Sequence, residues 1–91
     1  MNREILFFGA PWCGPCKALE RNYLPEIKAA CPEQIKEIDV TQAYNLIREH
    51  KIRATPTTIF IVDGREVKRI TGTKLPPIAE AIAWLRGEAE I

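Results

Sequence analysis

Four consecutive apolar residues, Ile5-Leu6-Phe7-Phe8, stop abruptly at Gly9-Ala10-Pro11. A run this short, closed by turn-forming residues, reads as a buried strand over residues 4–8. The next residues are Trp12-Cys13-Gly14-Pro15-Cys16-Lys17. A helix is expected to begin around Cys13-Gly14-Pro15, because proline is tolerated in a first helical turn, where its missing N–H loses no partner. It should run to residue 30, where Cys31-Pro32 ends it. Pro25 lies inside and is expected to kink or break it near Arg21 and Asn22.

Residues 35–40 read as a second strand. Residues 41–50 read as a helix, with Ala43, Leu46, Ile47 and His50 at helical spacing and Thr41 as its N-cap. Residues 57–62 form a β-branched strand, Asp63-Gly64 is a hairpin signal, and residues 65–71 return as a more polar, edge-like strand. A last helix is expected from about Pro76, with Ile78, Ile82 and Leu85 on one face. Tyr44, Phe60 and Trp84 read as core. The order β-α-β-α-β-β-α implies an α/β fold. Its early strands pair in parallel across a helix and its hairpin adds an antiparallel pair, giving a central mixed four-stranded sheet flanked by helices. No repeat, low-complexity tract or linker interrupts the chain, so residues 1–91 read as a single domain.

The remaining question is why two cysteines sit three apart beside that first strand. A pair of this kind is a staple, half a metal site, or a reagent. The chain has 91 residues, 46% apolar and 27% charged, with a formal net charge of +1. That balance gives no electrostatic reason to expect a nucleic-acid or membrane partner. The longest apolar runs, 5–8 and 59–62, are too short to cross a bilayer. Met1-Asn2-Arg3-Glu4 does not lead into a signal peptide, so a cytoplasmic location is expected, and the chain is expected to be a monomer. Three cysteines, an odd number, are too few for a disulfide scaffold, and a reducing compartment disfavours a permanent staple. A metal would need two more ligands. Only Cys31 and His50 remain, neither in a paired motif, so no metal or other cofactor is expected.

The reagent reading has a mechanism. At the mouth of a helix, unpaired backbone N–H groups favour the thiolate of Cys13 over its thiol, and the thiolate is the nucleophile of thiol–disulfide exchange. Cys16, one turn further in and more buried, is placed to attack a mixed disulfide at Cys13. Gly14 lets another backbone approach, Pro15 stiffens the turn, and Trp12 offers an apolar flank to a partner chain. Ala54-Thr55-Pro56-Thr57 reads either as an ordinary loop-to-strand junction or as something more specific. Cys31 reads as a small semi-buried hydrophobe. Arg48, Lys51 and Arg53 read equally as a helix end with its loop or as a surface for an acidic partner.

The motif WCGPCK, followed by Thr55-Pro56-Thr57, a strand, Asp63-Gly64, a second strand, Gly72 and a final helix, closely resembles the thioredoxin family. The likeness runs from about Ile5 to Leu85. It implies a thioredoxin-like fold and a protein-disulfide reductase that acts on disulfide-containing client proteins and is re-reduced by a thioredoxin reductase-like electron donor. Cys13 would be the attacking thiolate and Cys16 the resolving thiol. Pro56 would be a cis proline facing them, with Trp12, Gly14, Pro15, Thr55 and Gly72 around the substrate. Three departures stand out. The chain begins at the strand before the motif, which leaves a minimal, glutaredoxin-sized core and makes residues 35–40 an edge strand, in keeping with Lys36, Glu37 and Asp39. Phe7 stands where the family carries a buried aspartate that relays the proton of the resolving thiol, so Glu37 or water would take that role, unless Glu37 is simply a solvated charge. Gly9 stands where an aromatic residue is often found, which would open space beside the cysteines.

The size raises an alternative, a glutaredoxin-like, glutathione-dependent reductase. Thr71-Gly72-Thr73-Lys74 lacks the paired glycine and acid of such proteins, and the Gly-Pro between the cysteines resembles thioredoxin more. A non-catalytic binding module on the same fold is the rival from another class. An oxidant or isomerase would use the same residues, because direction depends on reduction potential.

Overall fold

A computed structural model describes residues 1–91. The elements follow in the order β1 (Arg3–Gly9), α1 (Gly14–Asn22), α2 (Leu24–Ala30), β2 (Ile35–Asp39), α3 (Tyr44–His50), β3 (Thr57–Val62), β4 (Arg65–Thr71) and α4 (Ile78–Leu85). The strands form one mixed sheet in the order β2-β1-β3-β4. β1 pairs in parallel with β2, matching Phe7 to Glu37, and antiparallel with β3, matching Phe8 to Thr57. β2 is an edge, and Lys36 and Glu37 on it are exposed.

Alternation along β1 sends its side chains to two different cores. Ile5 and Phe7 join Leu24, Ile27, Phe60, Ala81, Trp84 and Leu85 beneath α1, α2 and α4. Phe60 meets the edge of Trp84 with ring centroids 5.2 Å apart. Leu6 and Phe8 join Ile59 and Ile61 on the opposite face, where Phe8 lies against the ring of His50. At about 1.5–3 kcal/mol per buried large side chain, this one strand carries a large share of the hydrophobic stabilisation. Arg3 is buried at its start, stacked 5.3 Å over Trp84 and donating to the carbonyls of Trp84 and Ala89, which holds the C-terminal tail across the helical face.

The expected long first helix is broken where Pro25 requires it. α1 ends at Asn22 and α2 starts at Leu24, with Pro25 in the first turn of the new helix. Its missing N–H would otherwise have left the Arg21 carbonyl unpaired. Three expectations need correction. Thr41 is not the cap of α3: its N–H and hydroxyl both bond Asp39 Oδ1, at 2.9 and 2.6 Å, and the helix begins only at Tyr44. These bonds hold the Asp39 carboxyl below the usual range. Tyr44 is exposed rather than core, with Arg48 stacked on its ring. α4 starts at Ile78 rather than Pro76, because a residue before a proline is kept out of the helical region and Pro77 itself is extended, at φ −52° and ψ 147°. The hairpin behaves as read: Asp63 and Gly64 both take positive φ, 50° and 83°, as a two-residue turn between twisted strands requires.

Tyr23, in the break between α1 and α2, donates its hydroxyl to the Pro76 carbonyl and so ties that break to the start of α4. Burial, helped by the Glu80 carboxylate, pushes its pKa up to about 12. A raised folded pKa means that the stabilisation is complete below the unfolded value near 10 and is lost as pH climbs through about 12. Tyr23→Phe should cost about 1 kcal/mol at neutral pH, the net worth of one hydrogen bond, and should flatten the loss of stability above about pH 10. Urea unfolding of both forms across that range checks this.

Thr58 is 1% exposed and its hydroxyl finds no partner. Thr58→Val removes that unpaired group at nearly constant volume and should raise the unfolding free energy by about 1 kcal/mol.

Candidate functional site

Pairing register gathers the chemistry-bearing residues at one end of the sheet. Phe8, near the exit of β1, is opposite Thr57, the entry of β3, and Thr57 is opposite Thr71, the exit of β4. The loop Ala10–Cys13, the dipeptide Thr55-Pro56 and Gly72 therefore lie at the same end of the sheet. The Thr55–Pro56 bond is cis, and the Pro56 carbonyl accepts the Gly72 N–H at 2.9 Å, with Gly72 at φ +108°. Pro56 is buried while Thr55 and Gly72 are part-exposed, so the backbone of both borders the surface.

Cys13 is the N-cap of α1. Its N–H donates to the Ala10 carbonyl at 3.1 Å, which fixes the turn out of β1, and its carbonyl accepts the first helical bond from Lys17. Its sulfur accepts the Cys16 N–H at 3.2 Å. An unpaired N–H of a helix start is thus aimed at Cys13 Sγ, the arrangement that stabilises negative charge there. Cys13 and Cys16 are joined as a disulfide, with Cα atoms 5.2 Å apart. The pair is asymmetric: Cys13 keeps 8% of its surface and Cys16 keeps none. Trp12 stands beside them 77% exposed, and Gly14 and Pro15 are exposed on the helix tip. Cys31 is free and buried at the end of α2. It packs in the same core cluster as the pair, whereas His50 packs against Phe8 on the other side of the sheet.

Behind the disulfide the surroundings are apolar. Phe7 is 1% exposed in the same cluster as both cysteines. On the side toward Cys16 Gly9 does not leave the open space expected from the sequence: a Cβ there would lie 3.1 Å from Phe7 Cε2 and 3.4 Å from Cys16 Sγ. The Phe7 ring has taken the volume that the glycine gives up. Glu37 sits beside Phe7 on β2 and is engaged by Lys28 Nζ at the rim of a cleft of about 190 Å³ that Gly9, Lys17, Glu20 and Asp39 also line. The Phe7–Gly9–Cys16 contact was not legible in the sequence, because it depends on a ring crossing two strand positions to meet a helix.

A strand–turn–helix unit thus carries a disulfide-bonded cysteine pair at its helix start, at the end of the sheet where the cis Thr55–Pro56 bond also lies, in an α/β protein. Comparison with known proteins gives the family. The Thioredoxin family model matches residues 2–83. Thioredoxin H-type 1 of Nicotiana tabacum is 34% identical over 79 residues, covering 86% of this chain and 62% of that protein. Thioredoxin H4-1 of rice is 33% identical over 86 residues, covering 93% of this chain and 65% of that one. The chain therefore spans somewhat under two thirds of the length of these curated relatives. Among solved structures, the thioredoxin NaTrxh of Nicotiana alata superposes with a TM-score of 0.75 at 28% identity, covering 99% of this chain and 76% of the other. The thioredoxin of Fasciola hepatica gives 0.76 at 26% identity, covering 97% and 82%. The chain belongs to the thioredoxin family and has its fold.

Gly9→Ala should force the Phe7 ring and the Cys16 sulfur apart. Overpacking of this kind costs about 1–3 kcal/mol. The companion Phe7→Leu, Gly9→Ala double variant should recover part of that loss, and chemical denaturation of the oxidised proteins measures both.

Proposed function

We propose that the protein is a thiol–disulfide oxidoreductase that reduces protein disulfides through a Cys13/Cys16 cycle. The observation that carries this is the asymmetric pair at the α1 N-terminus, with the Cys13 sulfur capped by the Cys16 N–H and the Cys16 sulfur fully enclosed. Membership of the thioredoxin family supports it.

In the reduced protein the Cys13 thiolate attacks one sulfur of a client disulfide. A Cys13–client bond forms, the client S–S bond breaks, and the departing client thiolate takes up a proton. Cys16 then loses its proton and attacks Cys13 Sγ. The Cys13–Cys16 bond forms and the second client thiol leaves. Two electrons have passed from the protein dithiol to the client, and no further co-reactant is needed until the disulfide is reduced again. A thioredoxin reductase-like donor fills that role in this reading, and the cycle runs in the cytosol, where such a donor keeps dithiols reduced.

Around the sulfurs, each neighbour has a task. Trp12 flanks the client with an exposed apolar ring. Gly14 and Pro15 leave the helix tip low enough for a second backbone. Thr55, Pro56 and Gly72 form the opposite wall, where the Thr55 backbone is free to pair with an extended client segment. Enclosure of Cys16 by Phe7 and Gly9 keeps the resolving thiol from reacting with anything except the mixed disulfide beside it.

The test is reduction of insulin by catalytic amounts of the protein with dithiothreitol as electron source. Wild type should accelerate precipitation of the insulin chains, and Cys13→Ser should abolish the acceleration. Cys16→Ser should instead trap a mixed disulfide with the client, visible by mass. Activity that survives Cys13→Ser would overturn the assignment.

A further inference from the structure

The end of the sheet that carries the cysteine pair has a second opening, on the side of α3. A cleft of about 480 Å³ lies between Lys51, Arg53, Ala54, Thr57, Arg69 and Thr71. Ala54 and Thr57 flank Thr55-Pro56 in the chain, and Thr71 precedes Gly72, so this cleft begins where the wall opposite the cysteines ends.

Its charges are unevenly committed. Arg69 is a fixed post: its guanidinium donates two 2.8 Å bonds to the Glu66 carboxylate and further bonds to the carbonyls of His50 at 2.6 Å and Lys51 at 3.3 Å. It thereby ties the end of α3 to β4, and Glu66, which also lines the cleft, is spent on it. Lys51 and Arg53 are different. Both are exposed, and neither has a carboxylate within ion-pair distance. Lys51 ends α3 in a left-handed conformation, φ 54°, and turns the chain so that Arg53 comes two residues before Thr55. Arg48, one turn back on α3, is stacked on Tyr44 and does not line the cleft. The other carboxylate nearby, Glu49, lies 3.6 Å from His50 Nε2. On the far side of the cysteines the balance differs, because Lys17 is 3.5 Å from Glu20 and near Asp39.

We propose that this cleft is a docking surface for acidic residues that flank the reactive cysteine of a client protein. The inference rests on the disulfide-reductase reading and narrows its substrate class. A client segment lying along Thr55 and Gly72 runs past Lys51 and Arg53. Aspartate or glutamate there finds two cations with no internal partner, whereas lysine meets repulsion. Such complementarity acts on encounter and partner choice and is screened by salt.

The test uses three peptide disulfides of equal length whose cysteines are flanked by glutamate, serine or lysine. The second-order rate constant for oxidation of the reduced protein is measured with each. The glutamate peptide should react roughly three- to tenfold faster than the lysine peptide at about 20 mM salt, with the preference collapsing near 0.5 M. Lys51→Glu combined with Arg53→Glu should invert the order. A preference within twofold, or one that the double variant retains, overturns the docking surface while leaving the reductase intact if the serine peptide is still reduced. Failure to reduce the serine peptide overturns both.

Discussion

Burial of β1 on both faces is the constraint from which the rest of the molecule follows. A strand that sends Ile5 and Phe7 one way and Leu6 and Phe8 the other has to be covered by helices above and below. It also has to be central, because its backbone groups need partners on both sides. β2 and β3 supply those partners, one parallel and one antiparallel. Once β1 is central its exit is set, and Cys13 leaves that exit through a single hydrogen-bonded turn from Ala10.

The site depends on that placement more than on any one side chain. A cysteine pair in a flexible loop would have no preferred attacking sulfur. Here the start of α1 aims a backbone N–H at Cys13, and the core under α1 encloses Cys16, so the two chemically identical residues acquire different environments. The same core contains Phe7, and Gly9 leaves no room for a Cβ between the Phe7 ring and the Cys16 sulfur. The apolar environment and the helix start act on opposite members of the pair: burial disfavours charge at Cys16 while the N-terminus favours it at Cys13.

The segment around the cis proline is tied to pieces distant in the chain. Pro56 and Gly72 meet through one backbone hydrogen bond, and Arg69 on β4 reaches back to the carbonyls that close α3. These links make the segment from Lys51 to Thr57 part of the sheet's edge rather than a free loop. The cysteine pair, the Thr55-Pro56 segment and the cleft beside Lys51 and Arg53 therefore lie toward one end of the sheet.

Much of this was legible in the residues alone. Local rules suffice for a buried apolar run, a proline that breaks a helix, an Asp-Gly hairpin and a thiol at a helix mouth, since each is decided by backbone sterics or by groups a few residues apart. The reading failed where a neighbour competed: Asp39 captured the Thr41 hydroxyl that was expected to cap α3, Pro77 delayed α4, and Tyr44 found solvent and Arg48 instead of a core. By itself the sequence determined the element order, the break at Pro25 and the chemistry available at Cys13 and Cys16. Only the tertiary structure decided that Phe7 fills the space beside Gly9, that Glu37 is engaged by Lys28, and that Arg69 is held by Glu66 while Lys51 and Arg53 are not. Those are outcomes of which side chains meet across strands and helices, and no local pattern encodes the distance between groups that the chain separates by dozens of residues.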